Sequence, residues 1–212
     1  MTTIHHLHKS RSERLLFLAH ELSLPHAVVP YHRDPKLMVA PPELAAKHPM
    51  GTAPLLEDGQ IVIAESGAAL IYLNRTHGDG RLEPKPGTAE HERCLELIHF
   101  NEGTLMPLLT TTMYLKVSGV AVGEGWAGAI VQERLGRAVS WLDSLLRDQP
   151  YLCGDGLSLA DIMTAFTLDF MMDVTFPGLF GPLPCCETAD ALRVYAARIR
   201  QLPGYLYSTG QF

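Results

Sequence analysis

The stretch of sequence that decides the fold runs from Met50 to Leu73 and reads MGTAPLLEDGQIVIAESGAALIYL. Two short apolar runs flank the pair Asp58-Gly59, and an Asp-Gly pair in that setting predicts a β-hairpin. From Glu65 onward the residues are small or apolar and suit a helix that begins directly after the hairpin. A β-β-α unit is therefore the element around which the rest of the chain is interpreted.

The chain upstream of this unit predicts a β-α-β arrangement. Residues 3–8 and 26–32 are strand candidates, and apolar residues at helical spacing lie between them. Ser10 or Ser12 can cap that helix, and Ser10 with Glu13 has the spacing of a capping box. A short helix is expected from Pro42 to Lys47, since proline is favourable in a first helical turn. The first eighty residues thus read β-α-β-α-β-β-α.

The chain downstream of residue 80 predicts helices alone. A polar stretch rich in Gly and Pro marks a linker at 81–88, so we expect one domain over 1–80 and an all-helical domain over 89–212. Helices are predicted at 88–118 with a bend at Pro107, at 124–148, at 162–173 and at 188–201, where Pro203 ends the last one. Loops are predicted at 119–123 and 177–184, and Ser158 with Asp161 forms a capping box. The fold class is α/β plus all-α.

The composition is that of a folded chain with an acidic surplus. Its 212 residues are 47 % hydrophobic and 19 % charged, with a net charge of −6, which argues against disorder and, without a basic stripe, against nucleic-acid binding. Four cysteines without a Cys-x-x-Cys pair favour a reducing compartment, the cytoplasm. We expect neither a signal peptide nor a membrane span. His5, His6 and His8 lack a further ligand at metal-binding spacing, so no metal is expected.

Four segments, taken in order, resemble the cytosolic glutathione transferase superfamily over nearly the whole chain. They are SRSER at 10–14, HPMGTAPL at 48–55, AESGAALIYL at 64–73 and GDGLSLADI at 154–162. Two further segments, RDPK at 33–36 and FNEGTLMP at 100–107, resemble a bacterial and fungal branch with an active-site serine. The resemblance implies a thioredoxin-like first domain that binds glutathione and a helical second domain that holds the other substrate.

The chemistry implied by the resemblance is activation of the glutathione thiol. A free thiol has a pKa of about 8.5, so little thiolate is present at pH 7, and lowering that pKa by about two corresponds to about 2.7 kcal/mol. A hydroxyl near the start of the first helix can donate a hydrogen bond to the sulfur, and the helix N-terminus adds a partial positive charge. Ser10 is the expected donor and Ser12 the alternative; otherwise both serines only cap the helix.

The resemblance also implies where glutathione binds. Pro54 is expected to follow a cis peptide bond that presents the backbone of Ala53 to the cysteinyl group; an ordinary trans turn is the alternative. Ser66 and the helix N-terminus suit the γ-glutamyl carboxylate, and Glu65 can pair with the ammonium group, unless the two residues are a plain cap. Thr52 stands where the family often has lysine. The replacement cations considered for the glycyl carboxylate are Lys36, Lys47 and His48.

The second substrate is expected to be a small hydrophobic electrophile. Five residues on the long helix around Pro107 are pocket candidates, because adaptable apolar side chains suit such a site; the alternative is that they are core residues. These are Met106, Leu109, Thr110, Met113 and Tyr114. Family members form homodimers, and Glu102 is a candidate to reach the glutathione of the neighbouring subunit.

Other functions on this fold remain open at this stage. A glutathione-dependent peroxidase would use the same thiolate, and a dehalogenase or an isomerase would share the fold, although the Ser-Ser-Cys stretch of the isomerase branch is absent. A non-catalytic binding module is the alternative from another class. The Pro54 turn and the Glu65-Ser66 pair favour glutathione binding, whereas Thr52 weakens it.

Overall fold

The structure is a computed structural model of the chain and describes residues 1–36, 39–120, 123–178 and 183–210. The chain divides into two compact units, one formed by Met1–Glu83 with the C-terminal segment from Arg200 and the other by Pro84–Ile199. This division differs from the sequence-based boundary at the C-terminal end, where the last helix groups with the first unit.

The first unit contains one four-stranded sheet with the strand order β2-β1-β3-β4. β1 pairs with β2 in parallel, and β3 pairs with both β1 and β4 in antiparallel fashion. The elements are β1 Thr2–Leu7, α1 Glu13–Glu21, β2 His26–Tyr31, α2 Pro42–Lys47, β3 Leu55–Asp58, β4 Ile61–Ile63 and α3 Ser66–His77. The predicted order β-α-β-α-β-β-α is confirmed, and so is the hairpin, in which Gly59 adopts a left-handed φ of 63°.

The core of the first unit lies between the sheet and the helices α1 and α3. Ile4 of β1 and Leu56 of β3 are fully buried, as are the apolar side chains of Leu15, Leu18 and Leu70. Leu15 and Leu18 belong to the apolar stripe that helical spacing predicted for α1, and this stripe is buried as expected.

A helix that the sequence did not predict completes the first unit. α10 runs from Pro203 to Thr209 and packs on α1, where Tyr205 makes an edge contact with the ring of Phe17 and the N–H of Gly204 donates to Glu21. A Cβ on Gly204 would lie 2.6 Å from the Phe17 ring, so glycine is needed for this close approach. Pro203 therefore begins a helix, whereas we had expected it only to end one.

The second unit is helical throughout its described residues. Its helices are α4 Ala89–Phe100, α5 Met106–Val117, α6 Gly125–Leu145, α7 Leu159–Met171, α8 Pro184–Glu187 and α9 Asp190–Ile199. A π-helical turn at Asn101–Leu105 joins α4 to α5, directly before Pro107, whose missing N–H interrupts helical hydrogen bonding. Parts of the loops predicted at 119–123 and 177–184 lie outside the described residues.

The centre of the second unit is α7. Every one of its residues is buried, as expected for a helix surrounded by others. The predicted capping box is confirmed, because both the N–H and the hydroxyl of Ser158 donate to the Asp161 carboxylate at 2.8 and 2.6 Å. Asp161 also accepts from the N–H of Leu152 and the hydroxyl of Tyr195, so one buried carboxylate joins three segments of this unit.

Candidate active site

The junction between β1 and α1 carries the two serine hydroxyls that the sequence proposed as thiol activators. Ser10 Oγ and Ser12 Oγ lie 2.7 Å apart, and the N–H of Ser12 donates to Ser10 Oγ at 3.2 Å. Ser12 is the N-cap of α1, but its side chain makes no capping hydrogen bond. The capping role predicted for Ser12 is therefore wrong, and Ser10 lies two residues too early to form the predicted box with Glu13.

Both serines are buried, and Ser12 is the more completely enclosed of the two. The Ser12 residue is 0 % exposed and Ser10 is 5 % exposed. Besides Ser10, the Ser12 hydroxyl contacts the N–H of Leu7 and the carbonyl oxygen of Leu7, both at 3.2 Å, and Nδ1 of His6 at 2.8 Å. Ser12 presents no surface to a ligand, so the small exposed fraction of this pair belongs to Ser10.

His6 lies behind the serine pair and was not assigned a role from the sequence. Its residue is buried at 2 % exposure. Burial lowers the pKa of the imidazole to about 4, with a further contribution from neighbouring His8. His6 is therefore neutral at pH 7, and its tautomer decides whether Nδ1 donates to the Ser12 hydroxyl or accepts from it.

Cationic residues surround the chain just before Ser10. The guanidinium of Arg33 donates to the carbonyl oxygen of Lys9 at 2.9 Å. Burial lowers the pKa of the Arg33 guanidinium, and the charge of Arg11 lowers it further. Burial likewise lowers the pKa of His8, assisted by Lys9, His32 and Arg33. This cluster produces a positive potential beside Ser10, which favours an anionic ligand there.

The turn ahead of β3 has the geometry that the sequence predicted. The Ala53–Pro54 peptide bond is cis, and Pro54 is buried while Thr52 is exposed. β3 begins at the next residue, Leu55. The backbone of Ala53 thus continues the line of β3 at its N-terminal end, where an extended peptide can add to the sheet.

The start of α3 is arranged to bind an anion. Glu65 is the N-cap, makes no side-chain capping bond and is exposed, so the first N–H groups of the helix have no intrahelical acceptor. Ser66 Oγ accepts from the guanidinium of Arg14 at 3.0 Å. A guanidinium can only donate, so the Ser66 hydroxyl is the acceptor in this contact. Arg14, 1 % exposed, is a site residue that was not predicted from the sequence.

Two of the three cations considered for the glycyl carboxylate have other partners. Lys47 Nζ lies 3.4 Å from the carboxylate of Glu57, and Nδ1 of His48 accepts from the N–H of Met50 at 3.3 Å. Lys36 is exposed in the loop after β2, and its backbone N–H donates to Asp34. These contacts favour Lys36 over Lys47 and His48.

The pocket candidates of the second unit differ in their exposure. Met106 and Leu109 are 1 % and 2 % exposed, so they are core side chains in this conformation, as the alternative interpretation held. Thr110 donates to the carbonyl oxygen of Met106 at 2.9 Å. Met113 is half-buried and Tyr114 is 64 % exposed, so these two and Thr110 keep surface for a ligand. Glu102 lies half-buried in the π-helical turn.

Neither a metal centre nor a membrane span is found in the described part of the chain. No group of three or more His, Cys, Asp or Glu side chains there has a geometry suited to a metal ion. His5 is hydrogen-bonded to the hydroxyl of Tyr31, and His6 is hydrogen-bonded to the hydroxyl of Ser12. Across the same residues, every helix is too short or too polar to span a bilayer.

The fold and the site define a class of protein, namely a thioredoxin-like domain with a serine at its β1–α1 junction, joined to a helical domain. Two family models match this arrangement: the glutathione S-transferase N-terminal domain over residues 10–76 and its C-terminal domain over residues 88–201. The chain therefore belongs to the glutathione S-transferase family, and its enzyme class is that of a glutathione transferase.

Individual relatives agree with this assignment. The chain is 27 % identical to glutathione S-transferase 3 of Schizosaccharomyces pombe, covering 98 % of this chain and 92 % of the relative. It is 28 % identical to glutathione S-transferase 1 of Saccharomyces cerevisiae, covering 82 % of each. Among solved structures, a glutathione S-transferase from Actinobacillus pleuropneumoniae has a TM-score of 0.85 at 23 % identity, covering 100 % of this chain and 92 % of that one. At such identity the likeness shows the fold.

Proposed function

We propose that this chain is a serine-type glutathione transferase that activates the glutathione thiol through Ser10 and delivers it to a small hydrophobic electrophile. The observation that carries the proposal is the serine pair at the start of α1. Ser12 is fully buried, and its N–H and hydroxyl contact Ser10 Oγ, so the exposed part of the pair belongs to Ser10. A hydroxyl that donates to sulfur stabilises the thiolate over the thiol.

The same junction supplies further stabilisation of a thiolate. The N-terminus of α1 adds a partial positive charge, and the Lys9, Arg11 and Arg33 cluster adds full charges. The thiol proton leaves to water, and the sulfur electron pair forms the new bond to the electrophilic carbon. A leaving group departs with its electron pair in a substitution, whereas in an addition the adjacent carbon takes up a proton.

Glutathione is held by groups that flank this junction. The cysteinyl backbone pairs with Ala53 as an added strand. The γ-glutamyl carboxylate accepts hydrogen bonds from the Ser66 hydroxyl and from the first N–H groups of α3, while Glu65 pairs with the γ-glutamyl ammonium group. Lys36 pairs with the glycyl carboxylate in place of a lysine at Thr52. One solved neighbour, a theta-class enzyme from Xanthomonas axonopodis, is described with glutathione bound.

Several further features belong to the same proposal. The chain acts as a homodimer in the cytoplasm and falls in the serine-type bacterial and fungal branch, consistent with its yeast relatives. The electrophile contacts Thr110, Met113 and Tyr114. Glu102 reaches toward the glutathione of the partner subunit.

The proposal is tested by measuring binding and turnover separately. Calorimetry with glutathione gives affinity, and rates with a chloronitroarene and with an organic peroxide distinguish conjugation from peroxide reduction. We expect Ser10→Ala to bind glutathione but lose about tenfold or more in conjugation rate at pH 6.5, since a hydrogen bond to a charged acceptor contributes about 1.5–3 kcal/mol. Ser144→Ala, an exposed serine in α6, is the matched control. Undetectable glutathione binding would favour a non-catalytic module, and turnover of the peroxide alone would favour a peroxidase.

A further inference from the structure

We infer that His6 is a positioning residue, whose Nδ1–H tautomer fixes the Ser12 hydroxyl so that the Ser10 proton points toward the glutathione sulfur. The inference rests on the proposed function of Ser10, and it adds roles for Ser12 and His6 in orienting the Ser10 hydroxyl. It concerns the direction of the two hydrogen bonds that join His6 to Ser12 and Ser12 to Ser10.

The argument begins with the capacity of the Ser12 hydroxyl, which has one proton to donate and two lone pairs to accept with. The N–H of Leu7 can only donate, so it occupies one lone pair. The carbonyl oxygen of Leu7 can only accept. His6 Nδ1 at 2.8 Å and Ser10 Oγ at 2.7 Å can each act either way. The direction of one of these contacts therefore constrains the other.

If Nδ1 of His6 carries the proton, it donates to Ser12 and fills the second lone pair. Ser10 can then no longer donate to Ser12, so the short contact between the two hydroxyls runs from Ser12 to Ser10. Ser10 Oγ now accepts both the Ser12 hydroxyl proton and the Ser12 N–H. Its own proton is directed away from the pair, where the sulfur of glutathione is proposed to lie.

If Nε2 of His6 carries the proton, the opposite arrangement follows. Nδ1 accepts the Ser12 proton at 2.8 Å, which is a shorter contact than the alternative to the Leu7 carbonyl oxygen at 3.2 Å. The short contact between the hydroxyls must then run from Ser10 to Ser12, and the Ser10 proton is used inside the protein. The tautomer of a buried imidazole thus determines whether Ser10 can stabilise a thiolate.

The surroundings of His6 keep this arrangement constant over the working pH range. The ring is buried, and its lowered pKa leaves it neutral above about pH 5, so it acts by orientation without changing charge. The titratable group that acts on it is His8, whose own pKa is lowered by burial and by Lys9, His32 and Arg33. A proton on His8 disfavours a second proton on His6.

The test uses variants that keep or remove the Nδ1 donor. The amide nitrogen of asparagine can take the place of Nδ1, so His6→Asn retains a donor, whereas His6→Leu removes it. We expect His6→Leu to raise the pKa of the bound glutathione thiol by about one, and hence to lower the rate at pH 6.5 about tenfold with recovery at high pH. His6→Asn should stay near wild type. The control is His5→Leu, because His5 is a buried histidine on the same strand whose hydrogen bond is to Tyr31 and not to Ser12.

The outcomes separate this inference from the function on which it rests. An unchanged thiol pKa in Ser10→Ala would disprove the proposed activation of the thiol by Ser10. A raised thiol pKa in Ser10→Ala with no change in His6→Leu, or an equal rise in His6→Leu and His6→Asn, would overturn the role of His6 alone. Nitrogen-15 NMR of histidine-labelled protein with glutathione, with the resonances assigned from His6→Asn, reads the tautomer directly. Protonated Nδ1 supports the inference, and protonated Nε2 overturns it.

Discussion

The buried carboxylate of Asp161 should contribute more to the stability of the helical unit than any other single polar side chain at the start of α7. It accepts four hydrogen bonds of 2.6–2.9 Å, from Leu152, from Ser158 twice and from Tyr195. Burial raises the pKa of its carboxyl group, whereas these donors favour the ionised form. Removing the carboxylate leaves four donors without their acceptor, and each buried donor left unsatisfied costs about 1–3 kcal/mol.

A series of substitutions converts this geometry into graded expectations. Tyr195→Phe removes one donor and leaves three, so we expect a loss of about 1 kcal/mol. Asp161→Asn keeps an oxygen for Leu152 and Tyr195 but sets an amide N–H against the Ser158 N–H, so we expect about 2–3 kcal/mol. Asp161→Ala should lose about 4 kcal/mol or more, since it leaves all four donors unsatisfied. Asp155→Ala, an exposed aspartate in the preceding loop, should change stability by less than about 0.5 kcal/mol.

The double variant decides whether Tyr195 and Asp161 act through each other. Once Asp161 is alanine, the Tyr195 hydroxyl has lost this partner, so removing it as well should cost nothing more. The interaction energy in the double-mutant cycle should therefore be about 1 kcal/mol or larger. Urea unfolding followed by tryptophan fluorescence suits this unit, since both tryptophans lie in α6 and Trp141 packs edge-on against Phe100. Additive losses would refute the shared-carboxylate argument.

Three further expectations concern the first unit. Burial holds the pKa of His6 at about 4, below its unfolded value of about 6.5. Because the unfolded chain takes up a proton at His6 before the folded protein does, the free energy of unfolding falls as the pH drops from 6.5 toward 4. Between pH 7.5 and 5 this loss is about 2 kcal/mol. His6→Asn should lack that loss in unfolding titrations at the two pH values, and identical pH dependence in both proteins would contradict it. Ser66→Ala should weaken glutathione binding about tenfold in calorimetry with turnover at saturation preserved; a loss of turnover at unchanged affinity would argue against a purely binding role. Lys36→Ala should raise the KM for glutathione several-fold, as expected for an exposed ion pair of up to about 1 kcal/mol, while Lys47→Ala, already paired with Glu57, should not; the reverse ranking would assign the glycyl carboxylate to Lys47.

Much of the fold could be predicted because its deciding features are local. The Asp58-Gly59 hairpin and the Ser158-to-Asp161 capping box each follow from a few neighbouring residues, and both form as expected. α10 could not be predicted, because its position depends on a fit between Gly204 and the Phe17 ring, nearly the whole chain apart. Pro203 alone indicates only that a preceding helix stops there.

In the candidate site, too, local motifs could be predicted from the sequence, whereas contacts across the fold could not. The cis bond before Pro54 and the placement of Ser66 at the start of α3 were anticipated from short motifs. The roles of Arg14 and His6 were not, because each depends on which side chain lies across the fold. Arg14 reaches Ser66, 52 residues away, and His6 meets Ser12 only because the chain reverses direction between β1 and α1.

The central claim is that Ser10 lowers the pKa of the bound glutathione thiol. Its most direct test is a pH titration of thiolate absorbance with glutathione bound to the wild-type protein, to Ser10→Ala and to Ser144→Ala. In the wild type and in Ser144→Ala, we expect the pKa of the bound thiol to lie about two pH units below the free thiol value of about 8.5. In Ser10→Ala, this pKa should return most of the way to the free value. The same low thiol pKa in all three complexes would contradict the claim.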